Sequence, residues 1–117
     1  MLITVVETSA FARRADALLT AAERDELVLR LARDPRAGDL VPGLGGIRKL
    51  RFGGGGRGKS GGFRVIYYAT GSSESPVLAL LLYAKNERAD LSPDQRRAVR
   101  ALIDQWREEM MRRRVGA

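Results

Sequence analysis

Four cations, Arg51, Arg57, Lys59 and Arg64, flank one glycine-rich stretch, and Tyr83 and Lys85 close the apolar run that follows it. Side chains of these types gather anions. Around a phosphodiester they suit cleavage of RNA by attack of a 2′-hydroxyl on the adjacent phosphate, because that crowded anionic transition state needs cations where charge develops. Clustered cations also depress the pKa of a neighbouring lysine or tyrosine, which lets such a group move a proton without histidine. Glu87 is a further candidate base. Tyr67, Tyr68 and Tyr83 offer rings that can stack on an unpaired base or a phenolic hydroxyl, although Tyr67 and Tyr68 also read as core residues of a strand.

What the chain lacks narrows the chemistry. Its 117 residues include no histidine and no cysteine. The usual acid–base group at neutral pH is missing, and so are thiolates, disulfides and the commonest zinc ligands. No metal site and no cofactor are expected. No apolar run approaches the roughly 18 residues of a membrane span, and the start carries no signal-peptide pattern. The chain therefore reads as one soluble domain over residues 1–117, suited to the cytoplasm.

The net charge is +7. Arg48, Lys49, Arg51, Arg57, Lys59 and Arg64 all fall between Asp39 and Glu74, an interval without an acid, and the remaining cations nearly balance the 14 acids. A block of one sign in an otherwise balanced chain points to an anionic partner, with nucleic acid first.

Residues 53–60, GGGGRGKS, satisfy the phosphate-loop pattern G-x-x-x-x-G-K-[ST]. That motif works when the loop opens a helix whose N-terminal amides hold phosphates. Here Gly61 and Gly62 lead instead into FRVIYY, a strand pattern, so the glycines read as the tip of a hairpin between two basic strands.

The elements that must carry these residues follow from periodicity and punctuation. Residues 2–7 read as a strand. Thr8 or Ser9 caps a helix to about Leu19, with Phe11, Ala15, Leu18 and Leu19 on its apolar stripe. Thr20 and Glu23 form a capping box for a second helix to about Asp34, stopped by Pro35 and burying Leu27, Val28, Leu31 and Ala32. Residues 35–46 read as a loop, 47–52 as a short strand, 53–62 as the glycine loop, 63–70 as a strand, 71–76 as a turn and 77–84 as a central strand buried on both faces. After a polar loop at 85–91, Ser92, Pro93 and Gln95 start a last helix. It carries Ala98, Leu102, Trp106 and Met110 at spacing four with Val99 and Ile103 beside them, and ends in a solvated run of Arg112, Arg113 and Arg114. The predicted fold is α+β, in the order β-α-α-β-β-β-α, with a central antiparallel meander packed by helices.

Three phrases in this order are specific: RKLR at 48–51, GKSGGFRVIYY at 58–68 and YAKNE followed by DLS at 83–92. The chain resembles the HigB-type toxins of the RelE/ParE superfamily over most of its length. The resemblance implies a RelE-like fold and the toxin of a type II toxin–antitoxin pair: a ribosome-dependent endoribonuclease, or mRNA interferase, that cuts translated mRNA and arrests growth. It implies Lys59, Arg64 and Lys85 as catalytic cations, with Tyr83 beside them, and Lys49, Arg51, Arg57 and Tyr68 as the RNA-binding set. Four consecutive glycines, Gly53 to Gly56, depart from the family pattern at the hairpin tip.

The same resemblance implies two partners. One is a cognate antitoxin, a helix-turn-helix protein of HigA type, in a toxin–antitoxin hetero-oligomer. The other is the ribosome with its mRNA. Two other readings remain: a ParE-like inhibitor of gyrase, which would not need the basic set, and a non-catalytic RNA-binding module, whose binding would weaken steeply with salt.

Overall fold

The computed structural model describes residues 2–53, 62–69, 75–87 and 90–116. Its three helices begin where local side-chain chemistry satisfies free backbone N–H groups. Thr8 accepts from the Phe11 N–H and starts α1 (Ser9–Leu18). Thr20 and Glu23 complete their reciprocal box at the head of α2 (Ala21–Arg33). Ser92 and Gln95 do the same for α3 (Pro93–Gly116): the Ser92 N–H donates to Gln95 Oε1 at 2.9 Å and the Gln95 N–H to Ser92 Oγ at 3.2 Å. No helix among the described residues is long and apolar enough to cross a membrane.

The strands are β1 (Val5–Glu7), β2 (Asp39–Leu40), β3 (Ile47–Phe52), β4 (Phe63–Tyr68) and β5 (Val77–Ala84). They form one sheet in the order β1-β5-β4-β3-β2. The expected meander is its centre, with β3, β4 and β5 antiparallel, and β1 adds a parallel edge beside β5. The stretch expected to be only a loop contains β2, which pairs Asp39 with Lys49 and Leu40 with Arg48. Gly38 allows that approach, since a Cβ there would lie 2.8 Å from the Lys49 carbonyl oxygen.

Each face of the sheet has its own core. Phe11, Ala15, Leu27 and Leu31 of the α1–α2 hairpin pack on Leu50, Phe52, Phe63, Val65, Tyr67, Val77, Ala79 and Leu82. On the other face Val99 and Ile103 of α3 pack with Leu44, Ile47, Ile66, Tyr68, Leu78, Leu80 and Tyr83. The seam of α3 is centred on Val99 and Ile103, with Leu102 and Trp106 at its margin, whereas Ala98 faces water. Arg112 and Arg113 are exposed and pair with Glu109, as a solvated helix end requires.

The two faces are linked by an irregularity. Ile66 pairs with Leu81 but Tyr67 pairs with Ala79, so Leu80 is the extra residue of a β-bulge. The bulge reverses the alternation of β5. Val77 and Ala79 point to the hairpin below it, and Leu82 does so above it, which turns Tyr83 to the α3 face.

Tyr67 braces the edge of the sheet. Its hydroxyl donates to the Pro35 carbonyl and accepts from the Gly38 N–H, both at 2.8 Å. Arg48 reinforces the same corner through the Gly38 carbonyl at 2.8 Å. Burial pushes the Tyr67 phenol above its ordinary value of 10.0. The folded protein thus holds this proton more tightly than the unfolded chain does. The resulting stability is complete below about pH 10 and is lost as pH rises through the folded value. Tyr67→Phe is expected to cost about 1–3 kcal/mol at neutral pH, by orphaning the buried Gly38 N–H and the part-buried Pro35 carbonyl. It is also expected to flatten the alkaline fall in stability, and unfolding midpoints between pH 8 and 11 check both effects.

Candidate active site

The antiparallel register sets Arg51 of β3 opposite Arg64 of β4, and Arg64 opposite Tyr83 of β5. All three lie on the α3 face, because Leu50, Phe52, Phe63 and Leu82, their neighbours in sequence, fill the hairpin core. Lys49 lies two residues along β3 on that same face. Helix α3 covers Ile47, Ile66 and Tyr68 but leaves this row uncovered at its outer end: Arg51 is exposed, Arg64 half-buried and Tyr83 buried.

Like charges directly opposite each other in a ladder are unfavourable. Here the backbone ladder holds them together. Among the described residues no carboxylate comes within ion-pair distance of Arg51 or Arg64. The Arg64 guanidinium donates, among the described residues, to the neighbouring Phe63 carbonyl, at 3.2 Å. The Lys85 N–H donates to the Gly62 carbonyl at 3.0 Å and extends the β4–β5 ladder one step past Ala84. Its exposed side chain therefore starts from the same end of the sheet as Arg64. Two cations in register, a third cation at the ladder's end and a buried phenol make a surface that fits a phosphate group and can stabilise charge growing on it.

Not every residue expected at the site is there. Arg57 and Lys59 lie outside the described residues. Tyr68, expected to contact RNA, is 2% exposed and enclosed in the α3 core. Arg107 donates to its hydroxyl at 2.9 Å and lies over its ring at 5.5 Å. On the other side Gly46, at φ +83°, closes on the ring so tightly that a Cβ would meet it at 2.7 Å. No ring face is left for a base. Tyr67 is equally buried, in the opposite core. Glu87, a candidate base by sequence, instead braces the turn after β5. Its carboxylate accepts from the Ala84 N–H and pairs with Arg14 of α1, whose Nε donates to the Leu82 carbonyl.

Sequence reasoning missed Asp90, whose carboxylate pairs with Lys49 at 3.0 Å. Asp90 stood in the sequence only as the first letter of the DLS phrase just ahead of the Ser92 cap, with nothing to link it to Lys49. It also missed the register that joins Arg51 to Arg64, since pairing partners leave no mark in either strand alone.

The glycine motif is settled by its flanks. Phe52 pairs with Phe63 across the segment, and the next described element is the strand β4. A basic hairpin has matched a phosphate-loop pattern by its letters alone.

A family model described as "RelE toxin of RelE / RelB toxin-antitoxin system" matches residues 4–113. The chain belongs to the RelE toxin family. It is accordingly the toxin partner of a toxin–antitoxin pair, and the α+β sheet with its three helices is compatible with the RelE fold. Within this RelE-family chain the basic row runs from a buried tyrosine to an exposed arginine on the sheet's α3 face.

The row makes a prediction for the isolated protein. Arg64→Gln is expected to leave the melting temperature unchanged or to raise it by about 1–3 °C, as repulsion is relieved. Inorganic phosphate is expected to stabilise wild type and to stabilise this variant less. Thermal unfolding with and without phosphate at fixed ionic strength checks this, and an equal phosphate gain in both proteins would refute an anion site at the row.

Proposed function

We propose that this RelE-family toxin is a ribosome-dependent endoribonuclease that cuts translated mRNA at the Arg51–Arg64–Tyr83 row. RelE toxins are generally enzymes of this kind. The observation that carries the reading here is the pair Arg51 and Arg64, held in register on one face with no acid in ion-pair distance among the described residues.

In the proposed step the 2′-hydroxyl oxygen attacks the adjacent phosphorus and loses its proton to a base. The bond from phosphorus to the 5′-oxygen breaks, and that oxygen takes up a proton. The products are a 2′,3′-cyclic phosphate and a free 5′-hydroxyl, with no change of oxidation state. Arg64 stabilises the charge on the non-bridging oxygens, and Arg51 and Arg57 hold the strand. Lys59 and Lys85 are the candidates for proton transfer. The buried Tyr83, cross-strand partner of Arg64, limits in this reading where the guanidinium can go. This assignment gives Tyr83 a positioning role and removes Tyr68 from the RNA-binding set.

The HigB-type phrases at 48–51, 58–68 and 83–92 favour a helix-turn-helix antitoxin of HigA type as the cognate partner and the cytoplasm as the place of action. The gyrase-inhibitor reading does not need a like-charge row, and the pure binding reading uses it only as an electrostatic footprint, with salt-sensitive binding and no cleavage.

Induced expression in a bacterial host without antitoxin, with primer-extension mapping of mRNA ends, tests the proposal. Wild type is expected to arrest growth and to cut inside translated messages. Arg64→Ala is expected to cut about 10²–10³ times more slowly, the usual loss when one transition-state donor is removed. Arrest without cuts would favour gyrase as target, and undiminished cutting by Arg64→Ala would remove that residue from the site.

A further inference from the structure

Among the described residues, Lys49 differs from Arg51 and Arg64 in having an acid. Its ammonium lies 3.0 Å from Asp90 Oδ1. The two backbones are held independently. Lys49 is paired with Asp39 on one side and Ile66 on the other. Asp90 immediately precedes Leu91, which is buried in the α3 core, and the Ser92–Gln95 box. The pair does little for the fold, because the Asp90 side chain is 76% exposed and half-exposed pairs contribute about 0–1 kcal/mol.

Its position gives it another use. Two residues of strand separate Lys49 from Arg51 by about 7 Å on one face. That is close to the spacing of successive phosphates along an RNA strand. We propose that Lys49 forms a second phosphate subsite, next to the Arg51–Arg64 row, and that Asp90 occupies it as an internal stand-in until RNA displaces the carboxylate. The inference rests on the row being an RNA site. It adds a residue that weakens RNA binding by design: each engagement of Lys49 must first break the Lys49–Asp90 contact. Short or weakly held strands are disfavoured as a result, and strands also held elsewhere are favoured.

The test is binding of a non-cleavable 2′-O-methyl oligoribonucleotide, followed by fluorescence anisotropy over a range of salt. The proteins are wild type, Asp90→Asn, Lys49→Gln and the double variant. Asp90→Asn is expected to bind about threefold more tightly, the scale of one half-exposed ion pair. Its log–log salt slope is expected to steepen by about 0.7, the counterion release of one added contact to a single strand. In the Lys49→Gln background both effects are expected to vanish. Unchanged or weaker binding by Asp90→Asn would overturn the stand-in role. So would an equal gain with and without Lys49, which would mark a general effect of surface charge. Arg51→Ala and Arg64→Ala, measured alongside, separate this failure from a deeper one. If those two leave binding unchanged, the row is not the RNA site; if they abolish it while Asp90→Asn does nothing, only the Asp90 inference falls.

Discussion

One surplus residue in β5 decides the face on which Tyr83 stands. Without the bulge at Leu80, strict alternation from Val77 would send Tyr83 into the hairpin core and bring Leu82 beside Arg64. With it, a phenol completes the row of Arg51 and Arg64, and Leu82 fills the opposite core. The bulge also lets an unbroken apolar run, VLALLLYA, serve two cores that differ in shape. Backbone hydrogen bonds along the ladder hold the arginines together against their mutual repulsion. The row therefore depends on the ladder rather than on any contact between the side chains themselves.

The stabilising interactions are placed around this row and not within it. Tyr67, Gly38 and Arg48 brace the outer edge of β3. Arg14 and Glu87 brace the turn after β5 from the hairpin side. Thr8 both caps α1 and donates to the Leu80 carbonyl at 2.8 Å, tying the first helix to the bulge. Tyr68 and Arg107 close the α3 side. A site left with unsatisfied charge needs such neighbours, since binding surfaces that favour a ligand over the empty state give up stability of their own.

Much of this was legible in the residues. The three capping signals at Thr8, Thr20 and Ser92 act within one helical turn, so they read true in isolation. The absence of acids between Asp39 and Glu74 marked the anion-seeking region, and the order of elements came through apart from the two-residue β2. Tyr68 was misjudged because a tyrosine in an apolar strand carries no sign of which face it takes or what covers it. The pairing of Glu87 was illegible for a related reason: its partner, Arg14, lies 73 residues away and on another element.

The sequence by itself determined the helix starts, the basic middle third, the absence of histidine and cysteine chemistry, and the phrases that mark a RelE-type toxin. These are properties of neighbours within a few positions, governed by local hydrogen bonding, periodicity and composition. Only the tertiary structure decided that Arg51 faces Arg64, that Tyr83 joins them, that Tyr68 is shut away and that Asp90 holds Lys49. Each of those depends on register between strands, or on a helix crossing them. Register is set when two cores are filled at once, a condition on the whole chain that no single segment records.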